Sequence, residues 1–468
     1  MIRKIKTAWK NLARRFDDDD TSMRFSKRIV NIGHLLAGNF GAAGISFLAV
    51  ALAARGLGVE KFGVLALVST FIQAVERFVG FQTWQPIIRY GAGLREQGRM
   101  DDLKSVIKFG FLLDVTAVVA GFCLSVGLAL AGAQQFGWSP EVVKSLLIYS
   151  TALLFLINGS PTGVMRLSGR FGEIAYFQVV SMSMRCALCA VALYFNAGLF
   201  TYVAIWAATH VLGAQLLLLT GIRELRRIDS LNFLSASLKN LSGRFPKIWR
   251  FSILANLSLS IRSSAQQLDT LLVGALAGPS GAGLYHIAKR IAKFAQQAGQ
   301  HIQAVVFPDI AKLWALGDRS AFRKDVARTE ALLTIICVIG IGATFVLAEP
   351  VVSILAGGKF AGAGVMLKVQ IIAVAALLAG SVTRAALLCM GRETTVFIIA
   401  VFSTVIFFGL AFWLIPAYGA IGGNIAHAGA GVFVVTCLWL AYQLALRDTV
   451  YHRTEDKRNL TLDGDDSA

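Results

Sequence analysis

Within the apolar stretch Trp249–Gln303 the sequence carries residues that a bare membrane anchor would exclude. Arg262, Gln266 and Asp269 come first, and beyond the break Gly278-Pro279-Ser280-Gly281 follow Lys289, Arg290, Lys293, Gln296, Gln297, Gln300, His301 and Gln303. Arg262, Gln266 and Asp269 recur every three or four residues, as do Tyr285, Lys289, Lys293, Gln296, Gln300 and Gln303, so each set occupies one stripe of a helix. Ionisable groups at membrane depth are rare and face bundle interiors or water-filled cavities. The expectation is a pair of helices walling a polar, net-cationic cavity.

The residue types narrow what such a cavity could hold. Arg77, Arg262, Lys289, Arg290 and Lys293 are candidate anion ligands, and the forked donors of arginine suit a phosphate or diphosphate. Gln266, Gln296, Gln297 and Gln300 both donate and accept hydrogen bonds, as a hydroxyl-rich sugar requires, and interhelical bonding is the plainer use for them. His301 lies on the same polar helix. Glu76 and Asp269 are the candidates for coupling to protons or sodium, and each could instead balance a neighbouring cation. No phosphate-binding loop, His-Glu-x-x-His or Gly-x-Ser-x-Gly motif occurs, so neither direct ATP hydrolysis, nor a resident cofactor or metal, nor enzymatic activity is expected. The six cysteines fall inside apolar runs, and the Cys186-x-x-Cys189 spacing has no second pair with which to bind metal.

Those residues must be positioned by a membrane bundle. The 468 residues are 56% hydrophobic and 15% charged, outside the range of soluble domains. The net charge of +18 does not point to nucleic acid, because the basic residues alternate with apolar runs instead of forming one polar domain. Apolar runs near 29–54, 62–86, 106–133, 143–165, 173–195, 199–222, 249–276, 282–307, 329–355, 364–388, 393–415 and 420–446 predict twelve spans. Lys and Arg accumulate in alternate loops, which predicts that both termini are cytoplasmic. Met1–Phe16 reads as an amphipathic interfacial helix, with Ile2, Ile5, Trp9, Leu12 and Phe16 on one face and basic residues around the rest.

Landmarks recur at an offset of 220 to 222 residues: Gly58-x4-Gly63 with Gly278-x4-Gly283, Pro86 with Pro308, Gly169-Arg170 with Gly391-Arg392, and Gly198 with Gly419. Shared register at four places predicts an internal repeat. An even number of spans per half makes the repeats parallel. The predicted organisation is a cytoplasmic amphipathic segment (1–28), an N-lobe of six spans (29–222), a cytoplasmic linker (223–248), a C-lobe of six spans (249–446) and a cytoplasmic tail (447–468).

Four stretches carry a family resemblance: Arg55–Leu67, Asp269–Arg290, Val305–Ala311 and Pro416–Gly423. They resemble the bacterial polysaccharide-transporter, O-antigen flippase-like branch of the multidrug/oligosaccharidyl-lipid/polysaccharide (MOP) exporter superfamily. The resemblance implies an all-α fold of twelve helices in two six-helix lobes, located in the bacterial inner membrane. It implies a flippase that moves an undecaprenyl-pyrophosphate-linked oligosaccharide, such as an O-antigen or exopolysaccharide repeat unit, to the periplasmic leaflet by alternating access. The partners it implies are that lipid-linked oligosaccharide, membrane lipids, and polysaccharide polymerase or chain-length proteins, with the chain itself a monomer. Two alternatives stay open. A cation-coupled multidrug antiporter of the same superfamily would want a more acidic, aromatic cavity, and a glycan polymerase or ligase would want a long periplasmic loop.

Overall fold

A computed structural model describes the backbone of residues 20–135 and 138–462, and side chains within 43–133, 138–254, 256, 267–297 and 310–447. The interfacial helix expected over Met1–Phe16 lies outside the described residues. Among the described residues thirteen α-helices follow one another: α1 (Asp20–Val79), α2 (Trp84–Glu96), α3 (Met100–Gln135), α4 (Pro140–Leu153), α5 (Gly159–Leu167), α6 (Phe171–Tyr194), α7 (Leu199–Arg227), α8 (Leu241–Arg244), α9 (Ile248–Ala315), α10 (Arg319–Ala356), α11 (Gly362–Cys389), α12 (Glu393–Tyr418) and α13 (Ala420–Leu462). No strand occurs among the described residues. Nine helices among them are long and apolar enough to cross a membrane. Two of the nine each hold a pair of spans joined at a kink, and the broken pair α4/α5 supplies the remaining one. The protein is an all-α, multi-pass membrane protein of twelve spans in two six-helix lobes.

The kinks fall at Gly58 (φ 71°, ψ 178°) and Gly278 (φ 74°, ψ 177°). A side chain there would clash with its own backbone, so glycine sets where the first span of each repeat ends. The repeat extends further, with left-handed glycines also paired at Gly98/Gly317 and Gly169/Gly391.

Two expected spans differ from the structure, both in the first half. The second span ends at Val79 instead of running to Pro86, and α2 begins after Gly80–Thr83. Pro86 occupies the third position of α2, where a missing N–H leaves no helical bond unmade. The fourth span is split at 154–158, with Pro161 again in the third position of the second piece. The first piece has Ser139 as N-cap, accepting from Val142 N, and Pro140 at its start. In the second half α9 runs unbroken through Pro308, and α11 is continuous.

Contacts divide the chain into two compact units, one holding the described chain to Gly56 together with Val68–Ser264, the other Leu57–Leu67 and the chain from Ala265. In the first unit α6 packs on α7, α3 on α4, and α2 on α3 and α5. Its core gathers Ile87, Leu103, Ile107 and Phe109 with Phe233, Phe245 and Ile248. The stretch between α7 and α9 is therefore folded against α3. Arg244 donates to Asp102 at 2.8 Å and to the Ser237 carbonyl at 2.6 Å, and Lys108 donates to the Ala236 carbonyl at 2.9 Å. In a double-mutant cycle on thermal unfolding in detergent, Asp102→Ala and Arg244→Ala should show a coupling of about 1 kcal/mol; strict additivity would show the pair to be incidental.

In the second unit α13 packs on α11 and α12, and α11 on α10, around Phe322, Leu333, Val382, Leu387 and Leu438. The corners after the two kinks meet here. A Cβ on Gly63 would strike the Pro279 carbonyl, and one on Gly283 would lie 2.6 Å from the Val59 carbonyl oxygen.

Candidate functional site

In the second unit the sequence's two polar stripes converge on one carboxylate. Asp269 lies in α9 ahead of the Gly278 kink and is 1% exposed. Its Oδ1 accepts from Thr270 N at 2.5 Å, Thr270 Oγ1 at 3.1 Å and Lys289 Nζ at 2.6 Å. Its Oδ2 accepts from Tyr285 OH at 3.0 Å and lies 2.8 Å from His427 Nε2 on α13. Tyr285 and Lys289 are four residues apart beyond the Gly278 kink, so one face of the eighth span brings both to the seventh. Small residues let α13 come close: a Cβ on Gly423 would sit 2.8 Å from Val273 Cγ2 and 3.2 Å from the Tyr285 ring. The next residue, buried Asn424, donates to Gln370 at 2.7 Å, and its own side-chain oxygen has no partner.

Five donors satisfy the oxygens of this buried carboxylate, and Lys289 supplies the countercharge. His427 also stacks on Phe407, with centroids 4.3 Å apart. The cluster is thus built from three spans.

The first unit holds a separate polar cluster. His210 on α7 lies 3.6 Å from Glu76 Oε2 and 3.3 Å from the hydroxyl of buried Tyr149. One turn of helix away, Arg185 on α6 is buried, donates through Nε to Thr209 Oγ1 at 2.8 Å and sits 5.1 Å over the Trp206 ring. Arg185 and Phe407 are 222 residues apart, and Trp206 and His427 are 221 apart. The repeats therefore put a basic side chain against an aromatic ring at the same place with the roles exchanged: a guanidinium in the first half, an imidazole in the second.

The structure brings Asp269 and Lys289 together and places Glu76 in the other cluster. Asp269 is paired by Lys289 and lies against His427. Arg77 and Lys293 are exposed, and Arg290, Gln296 and Gln297 are partly buried. The side chains of Arg262, Gln266, Gln300 and His301 lie outside the described residues. Sequence reasoning missed His427, Tyr285 as a ligand of Asp269, and Arg185. Arg185 had a signal, being the only cation in the apolar run Phe171–Tyr194.

Comparison with known proteins settles the family. A model of the family described as polysaccharide biosynthesis protein matches residues 52–365. The chain belongs to this family. It is 26% identical over 343 residues to the inner membrane protein YghQ of Escherichia coli (strain K12), covering 72% of this chain and 94% of that one. Its fold is similar to an inward-facing multidrug resistance MATE family transporter of the MOP superfamily (TM-score 0.71, 16% identity, 87% of this chain and 95% of that one). It is also similar to the lipid II flippase MurJ in an inward closed conformation (TM-score 0.66, 14% identity, 87% of each chain). At these identities the structural likeness establishes the MOP-type fold shared by transporters and flippases.

Proposed function

We propose that the protein is a flippase for an undecaprenyl-pyrophosphate-linked oligosaccharide, carrying it from the cytoplasmic to the periplasmic leaflet by alternating access, and that it is not an enzyme. The observation that carries this reading is the eighth span of a polysaccharide biosynthesis family member, in which Lys289 is bound to Asp269 while Arg290 and Lys293 follow on the same helix. A diphosphate crossing a bilayer must exchange its hydration for fixed donors. Arg77, Arg262, Arg290 and Lys293 supply them in this scheme, Gln266, Gln296, Gln297 and Gln300 contact sugar with His301, and the lipid tail stays in the bilayer.

Asp269 and Glu76 are the coupling groups of the proposal. A proton or sodium ion taken up at these carboxylates would couple the gradient to the movement of the lobes. Both termini are assigned to the cytoplasm of the bacterial inner membrane, with the chain working as a monomer beside a polymerase.

The test is flipping of a fluorescent undecaprenyl-pyrophosphate oligosaccharide in proteoliposomes. The parent should transport it, and the folded variant Arg290→Gln/Lys293→Gln should do so more slowly by about tenfold or more, the loss expected for charge-assisted bonds to phosphate. A parent that moves no lipid-linked sugar but expels organic cations would replace this reading with a drug antiporter.

A further inference from the structure

The irregular backbone of the first unit is organised around a residue with no place in the scheme above. Asp114 in α3 is 5% exposed. Its Oδ1 accepts from Thr83 Oγ1 at 2.7 Å and its Oδ2 from Ser160 N at 2.6 Å. Thr83 immediately precedes α2 and Ser160 lies in the first turn of α5, so one carboxyl joins the breaks in the second and fourth spans. Gly159 lets the backbone close in, since a Cβ there would meet Thr83 Oγ1 and lie 2.7 Å from Asp114 Oδ1.

Two features exceed what a helix cap needs. The carboxyl has no cationic partner: among the described residues only Thr83 and Ser160 act on it, and no charged or titratable side chain of α2, α4, α5 or the Leu231–Ser235 turn does so. Ser160 Oγ, on a residue 3% exposed, approaches the same carboxyl but completes no hydrogen bond, an orphaned buried hydroxyl. An unneutralised carboxylate in an apolar bundle is strongly unfavourable. Interrupted membrane helices, in contrast, present oxygens that suit small monovalent cations. The second half is an internal control. The positions 221 and 222 residues after Asp114 are Ile335 and Ile336, and there α9 and α11 are unbroken. Carboxyl and breaks occur together in one half and are absent together from the other.

We propose that Asp114, Thr83 and Ser160 form a site for a neutralising monovalent cation, sodium or a proton, that holds the two broken spans together. Sodium would take the carboxylate, Thr83 Oγ1 and Ser160 Oγ as ligands. A proton would reside on the carboxyl and be donated to Thr83 Oγ1, which then turns its own hydrogen away. The site is independent of the substrate assigned above.

Thermal unfolding of the full chain in detergent tests it, comparing sodium with choline chloride at about pH 8, and choline at about pH 8 with about pH 5.5. The parent should be stabilised by sodium, or by acid alone, and Asp114→Asn should respond to neither. The first result identifies sodium and the second a proton. Ser160→Ala removes no hydrogen bond, so a cap-only role leaves it unchanged. A sodium site predicts about tenfold weaker sodium stabilisation in this variant with unaltered stability in choline. If Asp114→Asn does not fold, Ser160→Ala reports on sodium and Thr83→Val, through a shifted acid midpoint, on a proton. A parent indifferent to both ions, or variants that respond as the parent does, would overturn the proposal.

Discussion

Replacing Asp269 by alanine should abolish transport and lower the stability of the protein by about 3–5 kcal/mol, because it removes one partner of a buried pair and strands the other. Lys289 is 24% exposed at its side chain, so part of its charge can be rehydrated, which argues for the lower end of that range. Tyr285 OH, Thr270 Oγ1 and His427 Nε2 would lose their acceptor at the same time. The second variant is more informative than the first. Asp269→Asn/Lys289→Gln replaces both charges with amides of similar shape and should recover more than half of the lost stability, since an intact buried pair is close to neutral overall. Transport need not recover with it. If chemical unfolding shows the double variant to be as unstable as Asp269→Ala, the carboxylate stabilises through its other donors and Lys289 is not its essential partner. His427→Gln keeps a donor toward Oδ2 and should leave stability within about 1 kcal/mol of the parent.

A single methyl group at Gly63 should destabilise by about 3 kcal/mol or more, against the usual trend for a glycine within a helix. Glycine-to-alanine changes inside helices ordinarily stabilise by about 0.5–1 kcal/mol. At Gly63 the new Cβ falls on the Pro279 carbonyl, and backbone cannot swing aside as a flexible side chain can. Gly93, in α2, has nothing within 4 Å of the position its Cβ would take. Gly93→Ala should therefore raise the thermal midpoint in the same assay in which Gly63→Ala lowers it. Equal shifts of one sign would mean that the corner relaxes freely and that the close approach is incidental.

Much of the fold was legible in the sequence because membrane burial acts on long, uniform stretches. Twelve apolar runs, loop charges and four repeating landmarks carried the spans, their pairing into halves and the kinks at Gly58 and Gly278. The breaks at 80–83 and 154–158 were less legible. Apolar composition continues through Phe81, Leu154, Phe155 and Ile157, and the local warnings were Gly80, the Asn158-Gly159 pair, and Pro86 and Pro161, which a helix start accommodates. What stabilises those breaks is Asp114, 31 and 46 residues distant, a separation that helical periodicity does not sense. The candidate site divides in the same way. Asp269 and Lys289 stood out because charge in an apolar run is conspicuous. Their pairing across 20 residues needed the turn at Gly278, and His427, 158 residues on, needed the tertiary fold. Arg185 was conspicuous by the same rule, yet the adjacent cysteine spacing offered a more familiar motif.

The contact between the Gly58–Gly63 and Gly278–Gly283 corners is reciprocal. Gly63 meets the carbonyl of Pro279, Gly283 meets the carbonyl of Val59, and exchanging the two repeats converts one contact into the other. Such self-complementarity is the mark of an isologous interface between identical subunits. A six-helix chain pairing with its own copy would make this same contact twice over, and joining two copies end to end would preserve it. A side chain added at Gly63 or at Gly283 therefore meets the same obstacle, a backbone carbonyl of the opposite corner.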